Sequence, residues 1–220
     1  MISEQTREDV TVEQVSDHLL TIEREYWTAG VMPIAGIDEA GRGPLAGPVV
    51  AAAAIFPPGH FIEGVKDSKL LSPEEREHLY EKVMTDALSV GVGIVHHDVI
   101  DEINILQATF KAMHEAVRRL TIVPALQLID GNRFLENGIP YRTIVDGDAL
   151  SFTIAAASIV AKVTRDRIMV EYEHRYPGYG FAKHKGYATP EHREAIKRLG
   201  LCAIHRRSFT VRPQLELEFE

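Results

Sequence analysis

Two apolar runs, residues 34–37 and 44–56, stand only six residues apart, and the six between them are Asp38, Glu39, Ala40, Gly41, Arg42 and Gly43. Read as buried strands, they are too close for a crossover, because parallel strands need a connection of about a dozen residues or more. They must be antiparallel neighbours, joined by a glycine-rich connection that opens on two carboxylates. Further apolar runs at 90–95, 125–129 and 141–145 read as strands with helical stretches among them. Ser72 as N-cap, Pro73 in the first turn and Glu75 closing a capping box start a helix that runs to about Leu88. Other helices are expected over 98–120 (one or two), 149–175 and 190–199. A leader helix is expected over 3–28, where Val15, Leu19, Ile22 and Tyr26 recur at helical spacing. The pattern predicts an α/β fold: a mixed sheet of about five strands flanked by helices on both faces. It divides into a helical leader (1–32), a main domain (33–212) and a tail (213–220).

With 45% hydrophobic and 25% charged residues over 220 positions, the composition is that of a globular chain. No run approaches the ~18 apolar residues of a membrane span. The first residues, Met1 to Val10, are polar and acidic, unlike a secretory signal, so a cytoplasmic location without a membrane partner is expected. The one cysteine, Cys202, excludes an internal disulfide and is read as a small, half-buried residue rather than a nucleophile. The net charge of −8 is unevenly spread: residues 1–161 carry −12, residues 162–212 carry +7 and the last eight −3. A basic quarter on an acidic body reads either as a phosphate-binding face or as a solvated helical surface.

Asp38, Glu39, Asp130 and Asp148 each follow an apolar run or precede an apolar helix. Such acids are poorly solvated unless something positive meets them. Converging carboxylates repel one another, and a divalent cation relieves that repulsion. The donors are oxygens and no Cys/His cluster has zinc spacing, which points to Mg²⁺ or Mn²⁺. A pair of such ions can activate a water and stabilise the leaving oxygen of a phosphodiester. Taken singly, each acid also reads as a cap or a turn residue; Asp130-Gly131 is a common turn pair. His96 and His97 are expected in a loop, without a third ligand nearby.

The segment GIDEAGRGPLAGPVVAAA resembles the opening strand pair of the type 2 ribonucleases H, ribonuclease HII in particular. DSKLLSPEERE, NILQAT, LIDGN, AAASIVAKVTRDR, HKGYAT and IHRRSF continue the likeness in the same order, over residues 33–212. The resemblance implies an RNase H-like fold with a five-stranded mixed sheet, followed by a small helical C-terminal part. It implies an endonuclease that cuts the RNA strand of RNA–DNA hybrids, including single ribonucleotides embedded in duplex DNA, leaving a 5′-phosphate and a 3′-hydroxyl. It places metal on Asp38, Glu39, Asp130 and Asp148. Many relatives carry a lysine two residues before the last of these acids, where this chain has Asp146. Asp148 is preferred over Asp146 because it suits the N-cap of the apolar helix that follows.

Choosing a ribonucleotide requires protein groups that meet its 2′-hydroxyl. The resemblance gives this role to Gly41, Arg42 and Gly43, with Arg42 also near the backbone phosphate, and to Tyr187. The glycines permit close approach of backbone to sugar, and they equally suit a tight turn with positive φ. Lys183 and Lys185 are expected phosphate contacts, with Lys162, Arg165, Arg167, Arg206 and Arg207 supplying further basic charge. Ser158 reads as phosphate anchor or core, and the roles of His184 and His205 stay open. Two competing functions are a structure-specific DNA endonuclease, which has no use for a 2′-hydroxyl reader, and a non-catalytic hybrid-binding module, which would dispense with a metal acid. The tail Gln214-Leu215-Glu216-Leu217-Glu218-Phe219 reads either as an edge strand packed on its own domain or as a peptide resembling those by which bacterial replication and repair proteins dock on the sliding clamp.

Overall fold

The computed structural model describes Ser16 and residues 18–209. The first part of the expected leader helix and the clamp-like tail at 214–219 lie outside the described residues.

Helix α1 (Thr21–Thr28) leads into β1 (Ile34–Ala40), which pairs antiparallel with β2 (Val49–Ile55). After the capped helix α2 (Pro73–Asp86), β3 (Ser89–Val95) adds antiparallel to β2. Helix α3 (His97–Arg118), two helical stretches meeting at a kink where Asn104 has φ 67°, carries the chain to β4 (Leu126–Asp130), parallel to β1, and β5 (Tyr141–Ile144) lies parallel to β4. The sheet order is β3-β2-β1-β4-β5, the expected mixed sheet with an antiparallel start. A one-turn helix α4 (Gly147–Leu150), the long helix α5 (Phe152–Arg175), α6 (Phe181–His184) and α7 (Pro190–Leu199) complete the described fold. No helix among the described residues is long and apolar enough to cross a membrane.

Every residue of β2 is buried, because helices cover both faces of the sheet. Ala52 and Ala54 pack under α5 with Ala156 and Val160, while Val49, Ala51 and Ala53 face α3 with Ala112 and Met113. The small side chains let both helices come close. At Gly36 the approach is backbone to backbone: a Cβ there would lie 2.1 Å from the carbonyl carbon of Thr153. That contact sets the start of α5 directly on β1, beside the acids that follow.

Three expectations change. The second strand begins at Val49 rather than 44, because residues 44–48 form a loop whose carbonyls turn to Arg165 and Arg206 instead of to a strand. The helix expected over 149–175 is broken: Ser151 is extended, its hydroxyl accepts from the Ile154 amide, and it caps α5 in place of Asp148. The cause is Glu23 of α1, fully buried, whose Oε1 accepts from Ser151 Oγ (2.7 Å), Thr153 N (3.0 Å) and Thr153 Oγ1 (2.9 Å). His97 opens α3 and His96 precedes it as the cap residue, so this pair is a helix start rather than a loop.

Candidate active site

The site is built on two parallel neighbours. The register Ile37↔Ile129 sets Asp38 and Asp130 side by side at the carboxyl ends of β1 and β4. Glu39 continues β1, and its amide donates to Asp38 Oδ1 at 2.6 Å. One carboxylate oxygen from each of Asp38, Glu39 and Asp130 falls within 4.8 Å of the others. Asp130 Oδ1 also accepts from the Gly147 amide (2.8 Å), which ties β4 to the turn that carries Asp148. Asp148 is buried and stands outside that trio, its Oδ2 held by Lys69 Nζ at 2.9 Å. Asp146, the rival for its place, is exposed in a left-handed conformation with φ 54°. A cleft of about 310 Å³ opens beside Glu39 and Asp130, lined also by Arg42, Thr109 and Asn132.

The electrostatics follow from burial and crowding. Asp38 is pushed well above the usual carboxylate range, first by burial and then by the charges of Glu39 and Asp130. Burial raises Glu39 too, opposed by Arg42, whose Nη1 lies 3.1 Å from Oε1. Asp148 is raised by burial and pulled back by Lys69. Burial works against the Lys69 ammonium, yet the hydrogen bond and charge of Asp148 lift it above its ordinary value. A buried trio of mutually repelling oxygens is stabilised by a divalent cation and by little else. The donor set fits a hard ion such as Mg²⁺ or Mn²⁺. Lys69, not foreseen as a site residue, is signalled in sequence only by Asp67-Ser68-Lys69 before a strong helix start.

Gly41, Arg42 and Gly43 follow β1 directly. Gly41 has φ +97°, and a Cβ there would lie 2.1 Å from Arg165 Nε, so both turn and space require glycine. Tyr187 is 43% exposed, and a Cβ on Gly43 would sit 3.9 Å from its Cε1. The two parts of the expected ribose reader are therefore neighbours. Lys162 Nζ and the Arg165 guanidinium lie 6.0 and 5.8 Å from the Tyr187 ring centroid. Lys183 is exposed and pairs with Glu191, while Lys185 folds its ammonium back onto the Ala182 carbonyl.

The basic quarter is not one outward face. Arg165 and Arg206 are buried, Lys162 pairs with Asp166, and Arg167 pairs with Glu77 and Glu81. Ser158 is buried and donates to the Ala155 carbonyl, a core role. His184 and His205 belong to a buried aromatic stack with Phe181, Tyr179 and His192, the last of these unforeseen. The Cys202 amide donates to His205 Nδ1 (3.0 Å), so His205 Nε2 carries the proton and donates to His192 Nε2 (3.1 Å). His192 Nδ1 then donates to the Tyr187 carbonyl (2.9 Å), and this neutral chain props the Tyr187 turn from beneath. Burial pushes the Cys202 thiol up, consistent with an inert residue.

The chain is similar to known proteins in sequence and in fold. The model of the family described as Ribonuclease HII matches residues 35–212. The chain is similar to the Ribonuclease HII of Geobacter sp. (strain M21), 57% identical over 192 residues that cover 87% of this chain and 84% of that one. Among solved structures, the ribonuclease H2 from Pyrococcus horikoshii OT3 is similar with a TM-score of 0.68 and 32% identity, over 81% of this chain and 94% of that one. A chain of the PCNA:RNase HII complex from Archaeoglobus fulgidus is similar with a TM-score of 0.70 and 27% identity, over 86% of this chain and all of that one (100%). Likeness of this extent, in sequence and in fold, means that the chain belongs to the ribonuclease HII family and is a divalent-metal-dependent endonuclease of RNA in RNA–DNA hybrids.

Proposed function

We propose that the enzyme also cuts at single ribonucleotides embedded in duplex DNA, holding two divalent ions on Asp38, Glu39, Asp130 and Asp148. The observation that carries this reading is the juxtaposition of the Gly43 backbone and the exposed Tyr187 ring, next to the carboxylate trio. A slot formed by glycine backbone and an aromatic ring can take one sugar between hydrogen-bonding peptide groups and a stacking surface. A reader for one sugar needs no run of RNA. When bound, Mg²⁺ or Mn²⁺ supplies activation of water and stabilisation of charge on the phosphodiester, so that a 5′-phosphate and a 3′-hydroxyl result. The chain itself holds the oxygens in place: the Glu39 amide orients Asp38, the Gly147 amide orients Asp130, and Lys69 orients Asp148. Arg42 moderates Glu39 and is placed to meet a backbone phosphate. Lys183 and Lys185 contribute phosphate contacts once their present partners are exchanged.

The reading extends to place and partner. The enzyme acts in the cytoplasm on newly made DNA, held there by residues 214–219 on the sliding clamp, where tethering raises its local concentration. The A. fulgidus structure pairs an RNase HII with PCNA, which supports this partner. The deciding experiment is cleavage of a DNA duplex containing one ribonucleotide, with Mg²⁺, Mn²⁺ and chelator in parallel. Cleavage at the ribonucleotide with either ion, and none with chelator or with the all-DNA duplex, is expected; cleavage of long hybrids alone overturns the single-ribonucleotide reading. Truncation after Arg212 should remove clamp binding in calorimetry and leave short duplexes cut as before.

A further inference from the structure

Arg165 and Arg206 are the largest fully buried side chains of the described residues, 0% and 2% exposed. Their partners are backbone carbonyls. Arg206 donates to the carbonyls of Gly41 (2.6 Å), Arg42 (2.9 Å), Gly47 (3.0 Å) and Pro48 (3.1 Å). Arg165 donates to those of Pro48 (3.0 Å), Ala46 (3.2 Å) and Lys185 (3.0 Å). The acids whose charge reaches them, Asp166 for Arg165 and Asp101 for Arg206, are hydrogen-bonded elsewhere: Asp166 to Lys162, and Asp101 to the amides of Arg207 and Ser208. Nη1 of Arg165 is buried without a hydrogen-bond partner. Burying a guanidinium without a carboxylate costs several kcal/mol, so simple packing would be better served by an apolar side chain. What the pair does that an apolar residue cannot is fix a set of peptide groups.

The peptide geometry gives the consequence. In a trans peptide the carbonyl of one residue and the N–H of the next are antiparallel. With the Gly41 and Arg42 carbonyls drawn inward to Arg206, the amides of Arg42 and Gly43 are turned the other way, outward. Arg165 meanwhile spans the loop and the turn, bonding Ala46 and Pro48 on one side and Lys185 on the other. The Leu45 amide joins the same two segments through the Gly186 carbonyl at 2.8 Å. Two residues beyond Lys185 stands Tyr187, its ring 5.8 Å from the Arg165 guanidinium, a cation beneath an aromatic face.

We propose that Arg165 and Arg206 are positioning residues for ribose selection: Arg206 aims the Arg42 and Gly43 amides at the 2′-hydroxyl, and Arg165 sets the distance from that loop to Tyr187. This rests on the reading of Gly41–Gly43 and Tyr187 as the ribose reader. Neither arginine touches substrate; both act through the backbone they hold.

The test uses Arg165→Lys and Arg206→Lys in the full chain. Lysine keeps the charge, but its single ammonium cannot meet carbonyls spread along a planar fork. kcat and KM are measured on a duplex with one ribonucleotide, on a long RNA–DNA hybrid and on an all-DNA duplex, with Mn²⁺ affinity and thermal midpoint alongside. Each variant is expected to lose about tenfold or more in kcat on the single ribonucleotide, about threefold or less on the hybrid, and nothing in Mn²⁺ affinity. Equal losses on the two substrates, or none, would overturn the proposal. So would variants without cooperative unfolding, since the clamp would then be a general determinant of the fold. If the parent itself shows no preference for ribose over deoxyribose, the ribose-reader reading fails on its own, whatever the variants do.

Discussion

Asp38 is buried against Glu39 and Asp130 and has no lysine of its own, whereas Asp148 has Lys69. Repulsion of this kind is retained for function at a cost in stability. Asp130→Asn keeps the shape, including an oxygen for the Gly147 amide, and removes one charge. Cleavage of a labelled hybrid should fall by at least about 10²–10³-fold. The metal-free variant should melt higher than the parent, by roughly 2–4 °C for each kcal/mol of relieved repulsion. Added Mn²⁺ should then stabilise the parent more than the variant in a thermal melt. Near-parent cleavage by the purified variant would show that the trio is not the metal site. These acids were legible in sequence because each ends an apolar strand or opens a helix, a local signal. Lys69, His192 and Glu23 were not, because each acts on a residue distant in the chain: Lys69 on Asp148, His192 on His205 and Glu23 on Ser151 and Thr153. Arg165 and Arg206 were visible as charges, but only the fold reveals that they face inward.

At the scale of elements, β1 to β5 and the capping box of α2 were readable because period, caps and loop lengths are local. The break at Ser151 was not, since a carboxylate on α1 imposes it. Glu23→Ala leaves the Thr153 amide and two buried hydroxyls without their acceptor, a loss of roughly 3 kcal/mol. The thermal midpoint should drop accordingly, and kcat should fall with it because Ser151 closes the turn that carries Asp148. Glu23→Gln, which keeps an acceptor, should recover most of both; a melt unchanged in the alanine variant would detach α1 from the start of α5. The histidine chain makes a pH prediction. Burial pushes His192 down to about 4 from its ordinary 6.5, and His205 is lowered by burial as well. The unfolded chain thus binds protons that the folded chain refuses. The His192 contribution to stability is complete above pH 6.5 and is lost as pH falls from there through about 4, and that of His205 is lost in the same direction. Thermal melts between pH 7.5 and 4.5 should show a steeper acid loss in the parent than in His192→Gln. Parallel curves would mean that the stack tolerates a proton.

For the whole molecule, net charge misleads in both directions. The −8 total hides the basic quarter, and the +7 of that quarter overstates what faces out, because Lys162, Arg167, Lys183 and Lys197 have acidic partners. With about three or four phosphates neutralised, log K for a hybrid should fall with log salt at a slope of about −3. Fluorescence anisotropy with the Asp130→Asn protein from 50 to 200 mM salt, a range across which such slopes are readily read, measures it. A flat response removes the C-terminal quarter from the docking surface, and a slope near −7 means that its ion pairs open on binding. Chain order adds a last consequence. Domains emerge N-terminal end first during synthesis, so Gly41 and Arg42 leave the ribosome long before Arg206, which closes on them across separations of 165 and 164 residues. Until that late arginine arrives, the Gly41 and Arg42 carbonyls lack the guanidinium that holds them in the finished protein. On the proposed reading of this loop, a ribosome stalled before Arg206 would carry the early strands and their acids without the part that recognises the sugar.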